Sequence, residues 1–151
     1  AMRADKGFDT VECYRHVEHI VAKRQDVLLL ECMSNLLANE MYLEQDSDDG
    51  GLAETMSEVE KTGVGMSETL SPVSKKIVQA LVNLSTRVQD VVIVTNDVFS
   101  DGGSLTYDES TREYVKNLAE INCALAREAA TVTEVVCGIP VIVKENHPMG
   151  K

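Results

Sequence analysis

Two apolar runs in this chain are continuous: Val27-Leu28-Leu29-Leu30 and Val91-Val92-Ile93-Val94. Runs that do not alternate with polar residues predict strands covered on both faces, as in parallel sheets, here 27–31 and 91–95. Elsewhere the apolar positions repeat every three or four residues and predict helices. Val11, Tyr14, Val17, Ile20 and Val21 fall on one side of a helix over 12–24, and Met33, Leu36, Leu37 and Met41 on one side of a helix over 32–41. Ser71-Pro72 places an N-cap serine and a first-turn proline before the stripe Val73, Ile77, Leu81, Leu84 and Val88. Ser110-Thr111-Arg112-Glu113 matches a capping box opening a helix to about Ala130, with Val115, Leu118, Asn122, Leu125 and Ala129 as its stripe. Thr133 to Gly138 predicts a third strand. Val141-Ile142-Val143 either forms a fourth or continues the third past a break at Ile139-Pro140. The order αβα, loop, αβαββ predicts one α/β domain over residues 1–151, folded as a three-layer sandwich.

Between the second and third predicted helices, residues 44–70 lack a steady period. They carry Glu44, Asp46, Asp48, Asp49, Glu54, Glu58, Glu60 and Glu68 against Lys61 alone. This stretch therefore holds most of the formal charge of −11 and predicts an acidic surface excursion rather than a packed element. The acidity argues against nucleic-acid or anionic-membrane partners. The absence of Trp, with two Phe and four Tyr, argues against base-stacking platforms. No run reaches the roughly 20 apolar residues of a membrane span, and the N-terminus has no apolar signal core. Cysteines at 13, 32, 123 and 137 show no CxxC or paired metal spacing. Cys32 and Cys137 read as small core residues, and free thiols suit a reducing cytoplasm.

Glu31 ends the first apolar run and Asn96-Asp97 follows the second. Open α/β sheets bind ligands beyond the carboxyl ends of their strands. A carboxylate in Glu31's position can hold magnesium directly or through water, or is a plain strand-end acid. Asn96-Asp97 either orients substrate or closes the strand with an Asx-turn. A P-loop would need G-x-x-x-x-G-K-[ST], and the chain contains no such string; Gly102-Gly103-Ser104 lacks the lysine. Glu12, His16, His19 and Lys23 share one helical face opposite the apolar stripe and read as a solvated face, with Glu12, at the helix start, able to face a site. Asn122, inside an apolar stripe, must be hydrogen-bonded, either to a neighbouring loop or within a site between helix and sheet.

Taken together, Thr10-Val11-Glu12, the junction Leu28-Leu29-Leu30-Glu31-Cys32-Met33-Ser34-Asn35-Leu36 with Asn39 beyond it, and Val94-Thr95-Asn96-Asp97-Val98 resemble a known family. So do Ile121-Asn122-Cys123-Ala124-Leu125-Ala126 and the ending Val135-Val136-Cys137-Gly138-Ile139-Pro140 with Lys144. The family is the bifunctional adenosylcobinamide kinase/adenosylcobinamide-phosphate guanylyltransferase of cobalamin biosynthesis. The resemblance covers most of the chain outside 44–70, in order.

It implies a P-loop NTPase-like (RecA-like), mostly parallel sheet that uses ATP or GTP with Mg2+. Family members phosphorylate adenosylcobinamide, form a guanylyl-histidine intermediate, and pass GMP to the phosphorylated corrinoid. The resemblance also implies a cytoplasmic homo-oligomer. Carried over, Glu12, Glu31 and Arg3 contact the guanine nucleotide, Glu31 also lies near the metal, and Asn96 and Asp97 line the active-site edge. No catalytic residue is carried over. The family's first strand, P-loop and guanylylated histidine would all precede Ala1. The resemblance therefore implies a C-terminal portion of such an enzyme, incomplete at its N-terminus and impaired in activity. Asp97 is shorter than the family's glutamate, and Phe99 stands where glycine is common. Two rival readings are a non-catalytic scaffold that keeps the nucleotide fold for assembly, and another small-molecule kinase.

Overall fold

A computed structural model describes residues 7–43, 70–98 and 107–146. Arg3, nearly all of the acidic stretch 44–70, Phe99 and Gly102-Gly103-Ser104 lie outside the described residues. In chain order the elements are β1 (Val27–Glu31), α1 (Met33–Tyr42), α2 (Pro72–Ser85), β2 (Asp90–Val94), α3 (Glu109–Glu128), β3 (Thr131–Val136) and β4 (Ile139–Glu145). A single 3-10 turn, Val17–His19, precedes them.

β1 and β2 pair in parallel, in register from Val27↔Asp90 to Glu31↔Val94. Gln89 N–H donates to Asp26 O at 2.9 Å and ties the two strands where they begin. Leu30 and Ile93 pack onto the helices. The alternate residues Val27, Leu29, Val92 and Val94 are exposed. The expectation of strands covered on both faces therefore holds for one face among the described residues. Nor is the mostly parallel sheet continuous there: it comprises this parallel pair and a separate antiparallel hairpin, β3–β4.

The fourth strand is real, and the break before it is a tight turn. Cys137 (φ 51) and Gly138 (φ 82) both adopt the left-handed conformation, with Val136 opposite Ile139. That is the two-residue loop whose twist matches a hairpin. Cys137 is exposed at its tip and Cys32 is half-buried, so neither is the fully buried core thiol that its apolar neighbours suggested. The hairpin is fastened to α3 by Lys144 Nζ, which donates to Ala126 O at 3.1 Å and Arg127 O at 2.8 Å. A cation there satisfies orphan carbonyls and the negative end of the helix.

The core lies among the three helices. Met33 and Leu37 of α1, Ile77 and Val78 of α2, and Leu118 and Ile121 of α3 are almost wholly removed from water. α2 begins as its sequence indicates: Ser71 Oγ accepts from Ser74 N–H at 3.2 Å, and Pro72 opens the first turn.

α3 departs from expectation in two ways. Its N-cap is Asp108, whose Oδ1 accepts from Thr111 N–H at 2.7 Å, so the helix starts ahead of the Ser110–Glu113 box. Its buried face is Asn117, Leu118, Ile121 and Ala124, a rotation from the stripe through Val115, Asn122 and Leu125. Small and polar side chains explain the rotation. Ser74, fully buried, donates its hydroxyl to Asn117 O at 3.3 Å, so α2 meets α3 along a line that hydropathy alone does not mark.

The helix expected over 12–24 is absent. His16 has φ 56 and ψ 48, a left-handed corner that no α-helix continues through. Of the proposed stripe, Val17 is core at 3 % exposed and Ile20 packs partly buried against it, while Val11, Tyr14 and Val21 are exposed. The segment closes a single turn on itself, with His19 N–H donating to His16 O at 3.0 Å and Ile20 N–H to Val17 O at 3.2 Å. It is tied to α1 by His16 N–H, which donates to Glu40 Oε1 at 2.9 Å.

Candidate functional site

Because β1 and β2 run in parallel with Glu31 opposite Val94, their carboxyl ends lie side by side. Glu31 is the last residue of β1, and α1 starts two residues later at Met33. The side chain of the N-cap, Cys32, caps none of the helix's backbone N–H groups, its Sγ lying instead 2.9 Å from Ser34 Oγ. The first-turn N–H groups of α1 therefore stand next to the strand end that carries Glu31, and such groups attract anions. The Glu31–Cys32 peptide is cis.

A cleft of about 580 Å3 runs along the whole of β1, from Val27 to Glu31, and reaches the start of α1. One wall is the strand-to-helix junction, with Glu31, Cys32, Asn35 and Asn39; the facing wall is the segment Phe8–Tyr14, with Thr10 and Glu12. Glu12 and Glu31, far apart in sequence, thus line the same space. The Tyr14 hydroxyl donates to Glu12 Oε2 at 3.1 Å. That hydrogen bond, and the carboxylate's charge, push the phenol above its usual range. Cys13 also lines the cleft; burial raises its thiol pKa, outweighing the hydrogen bond to Arg15 O. Cys13 is therefore held as a thiol rather than as a nucleophilic thiolate.

Asn96 and Asp97 lie just past the end of β2, beside the end of β1, and do not line that cleft. Asn122, on α3, holds this stretch. Thr95 Oγ1 donates to Asn122 Oδ1 at 2.7 Å, and Asn122 Nδ2 donates to Asn96 O at 3.3 Å. Of the two roles open to Asn122, the structure shows that of a clamp on the neighbouring loop. His16 and His19 are not on a helical face with Glu12. Their rings stack at 5.8 Å, and His16 Nδ1 lies 3.1 Å from Glu18 Oε1.

The site wall depends on one residue that pattern reading overlooked. Glu40 of α1 accepts from His16 N–H at 2.9 Å and, through Oε2, from Lys76 Nζ at 2.7 Å. Arg15 Nε lies 3.7 Å from the same oxygen. Burial alone would raise the pKa of Glu40, but the His16 hydrogen bond and then Lys76 outweigh it and hold the carboxyl below its ordinary range. The signal was an acid inside the apolar run of α1, adjacent to Met41.

No group of three or more His, Cys, Asp or Glu among the described residues is arranged to hold a metal ion. The donor set at the strand end does suit Mg2+, which takes one or two carboxylates and completes its shell with water and phosphate oxygens. No helix among the described residues is long and apolar enough to cross a membrane.

Comparison with known proteins gives one family. Residues 1–143 match the model described as "Cobinamide kinase / cobinamide phosphate guanyltransferase". No curated protein matches the chain. The family match spans nearly the whole chain, and the chain belongs to that family.

Proposed function

From that membership we propose that the cleft between Phe8–Tyr14 and the β1–α1 junction receives the guanine nucleotide from which GMP passes to cobinamide phosphate. One observation carries this reading: Glu12 and Glu31, distant in sequence, line one cleft, and Glu31 is the last paired residue of a parallel strand. The family's substrates are a corrinoid and nucleoside triphosphates, so the chain is read as a transferase with kinase and nucleotidyltransferase activity. Adenosylcobinamide and its phosphate are the acceptors in this reading.

In the same reading, Glu31 holds Mg2+ at the strand end, and the ion neutralises charge on the phosphates when bound. Glu12, oriented by Tyr14, accepts hydrogen bonds from the edge of the base or from the ribose. The uncapped start of α1 attracts phosphate oxygens. Asn96 and Asp97 form the rim on the β2 side, held in place by Asn122. Arg3, outside the described residues, adds a cation on the nucleotide side. A P-loop-NTPase-like, three-layer arrangement is the fold that this reading extends to the protein, with a homo-oligomer in the cytoplasm as its working form.

Calorimetric titration with GTP and Mg2+ tests the proposal. Micromolar binding that Glu31→Ala and Glu12→Ala each weaken at least about tenfold, a loss of about 1.4 kcal/mol, supports it. Binding to which both variants are indifferent overturns the assignment of the cleft. Binding of simple nucleosides or sugars as acceptors, with no uptake of a corrinoid, would favour another small-molecule kinase.

A further inference from the structure

We infer that Glu40 is a positioning residue for the cleft, its buried carboxylate fixing the corner from which the wall bearing Glu12 hangs; the functional consequence rests on the nucleotide reading above. The Glu40 side chain is 4 % exposed. A charge so buried is tolerated when its partners are complete. Here both oxygens are engaged: Oε1 by His16 N–H at 2.9 Å and Oε2 by Lys76 Nζ at 2.7 Å. Arg15 Nε adds its charge at 3.7 Å.

The partners are not scattered. Arg15 and His16 are consecutive, and they are where the chain leaves the cleft wall and turns into the core through Val17. His16 takes this turn in the left-handed region, at φ 56, without being glycine. Such a conformation persists only where the surroundings over-determine it. Glu40 supplies that determination through the one backbone N–H at the corner, and Arg15 Nη1 adds a bond to Leu43 O at 3.3 Å, at the end of the same helix. Before the corner, the wall is bonded to itself, Tyr14 to Glu12 and Cys13 Sγ to Arg15 O at 3.1 Å. Its other hold is Cys13, partly buried against the helical core, and the corner at Glu40 sets the direction in which the wall leaves that core. Release at Glu40 leaves the three-helix core packed and lets Glu12 leave its place opposite Glu31.

Hydrogen exchange of the ligand-free protein tests the pin, and titration with GTP and Mg2+ tests its consequence. Glu40→Leu is expected to raise exchange selectively in residues 12–18, with α2 and α3 still protected. Glu40→Gln keeps an oxygen for His16 N–H and restores much of the protection. Tyr42→Phe removes the bond from the Tyr42 hydroxyl to Ser110 O at 3.1 Å, on the other side of the same helix end, and leaves residues 12–18 unchanged. If the wall is then in place about a tenth of the time, the apparent GTP Kd rises about tenfold in Glu40→Leu and less in Glu40→Gln.

Unchanged exchange in residues 12–18, or an increase shared equally by α2 and α3, overturns the inference. Should Glu40→Leu not fold, Glu40→Ala, which likewise removes the acceptor for His16 N–H, is scored by the same criteria. Wild-type protein that takes up no GTP refutes the nucleotide reading, while the exchange data decide the pin independently.

Discussion

Replacing Asn122 with alanine removes the clamp between α3 and the end of β2. Two hydrogen bonds are lost: the 2.7 Å bond from Thr95 Oγ1 and the 3.3 Å bond to Asn96 O. A protein hydrogen bond contributes about 0.5–1.5 kcal/mol net. Thr95 and Asn96 are exposed, so water re-satisfies the orphaned groups and the desolvation penalty of a buried orphan does not apply. The longer bond contributes least. The expected loss is therefore about 1–2 kcal/mol, and roughly 2–4 °C in Tm per kcal/mol for a chain of this size. Urea unfolding should show the loss as a shift in midpoint at constant m. Amide exchange should rise at residues 95–98 while α3 stays protected. Since Glu31 lies opposite Val94, the freed loop borders the proposed metal site, and GTP affinity should fall modestly with it. A loss above about 4 kcal/mol would make Asn122 a core residue. An unchanged midpoint with unchanged loop exchange would show that the clamp does not hold the loop.

Leu118→Ala, at a side chain with no exposure, should cost about 2–5 kcal/mol by urea unfolding; a loss under roughly 1 kcal/mol would place the helical core elsewhere. Glu40 gives a pH signature. Despite burial, the His16 hydrogen bond and Lys76 hold its folded pKa below the ordinary glutamate range, so its contribution is present above that range and is lost as pH falls through the folded pKa. Glu40→Gln should therefore flatten the decline of stability as pH falls below the ordinary glutamate range, and a variant with the wild-type acid limb would contradict this.

The elements legible from sequence were those whose signal is local. The runs at 27–31 and 91–95, the Ser71-Pro72 start of α2 and the final strands follow from periodicity and capping. Residues 12–24 show where periodicity fails. All five apolar positions fit a helix, yet only Val17 is buried in the core, with Ile20 partly buried against it. The chain turns at His16 because a carboxylate 24 residues away engages its N–H, and no window of neighbouring residues contains that information.

The rotation of α3 has the same origin. Ser74 is buried with its hydroxyl on the backbone carbonyl of Asn117, and the Asn117 amide reaches Met41 Sδ at 3.5 Å, facts of pairing rather than hydropathy. At the site, Glu12 and Glu31 could each be singled out by position and resemblance, but their sharing of one cleft depends on the fold of the segment between them. Asn35 carried the available signal for the cleft wall, since it lies one helical turn before Asn39 and just past the strand end. Glu40 carried only an unexplained charge.

Mapping of GTP and Mg2+ onto the assigned amide resonances of the protein tests the central claim most directly. The account predicts that the largest shifts fall on Thr10–Tyr14 and on Glu31–Asn35, with smaller ones at Thr95–Val98 and none at the hairpin turn Cys137-Gly138. Saturable shifts centred on β3–β4, with Glu12 and Glu31 unmoved, would contradict it.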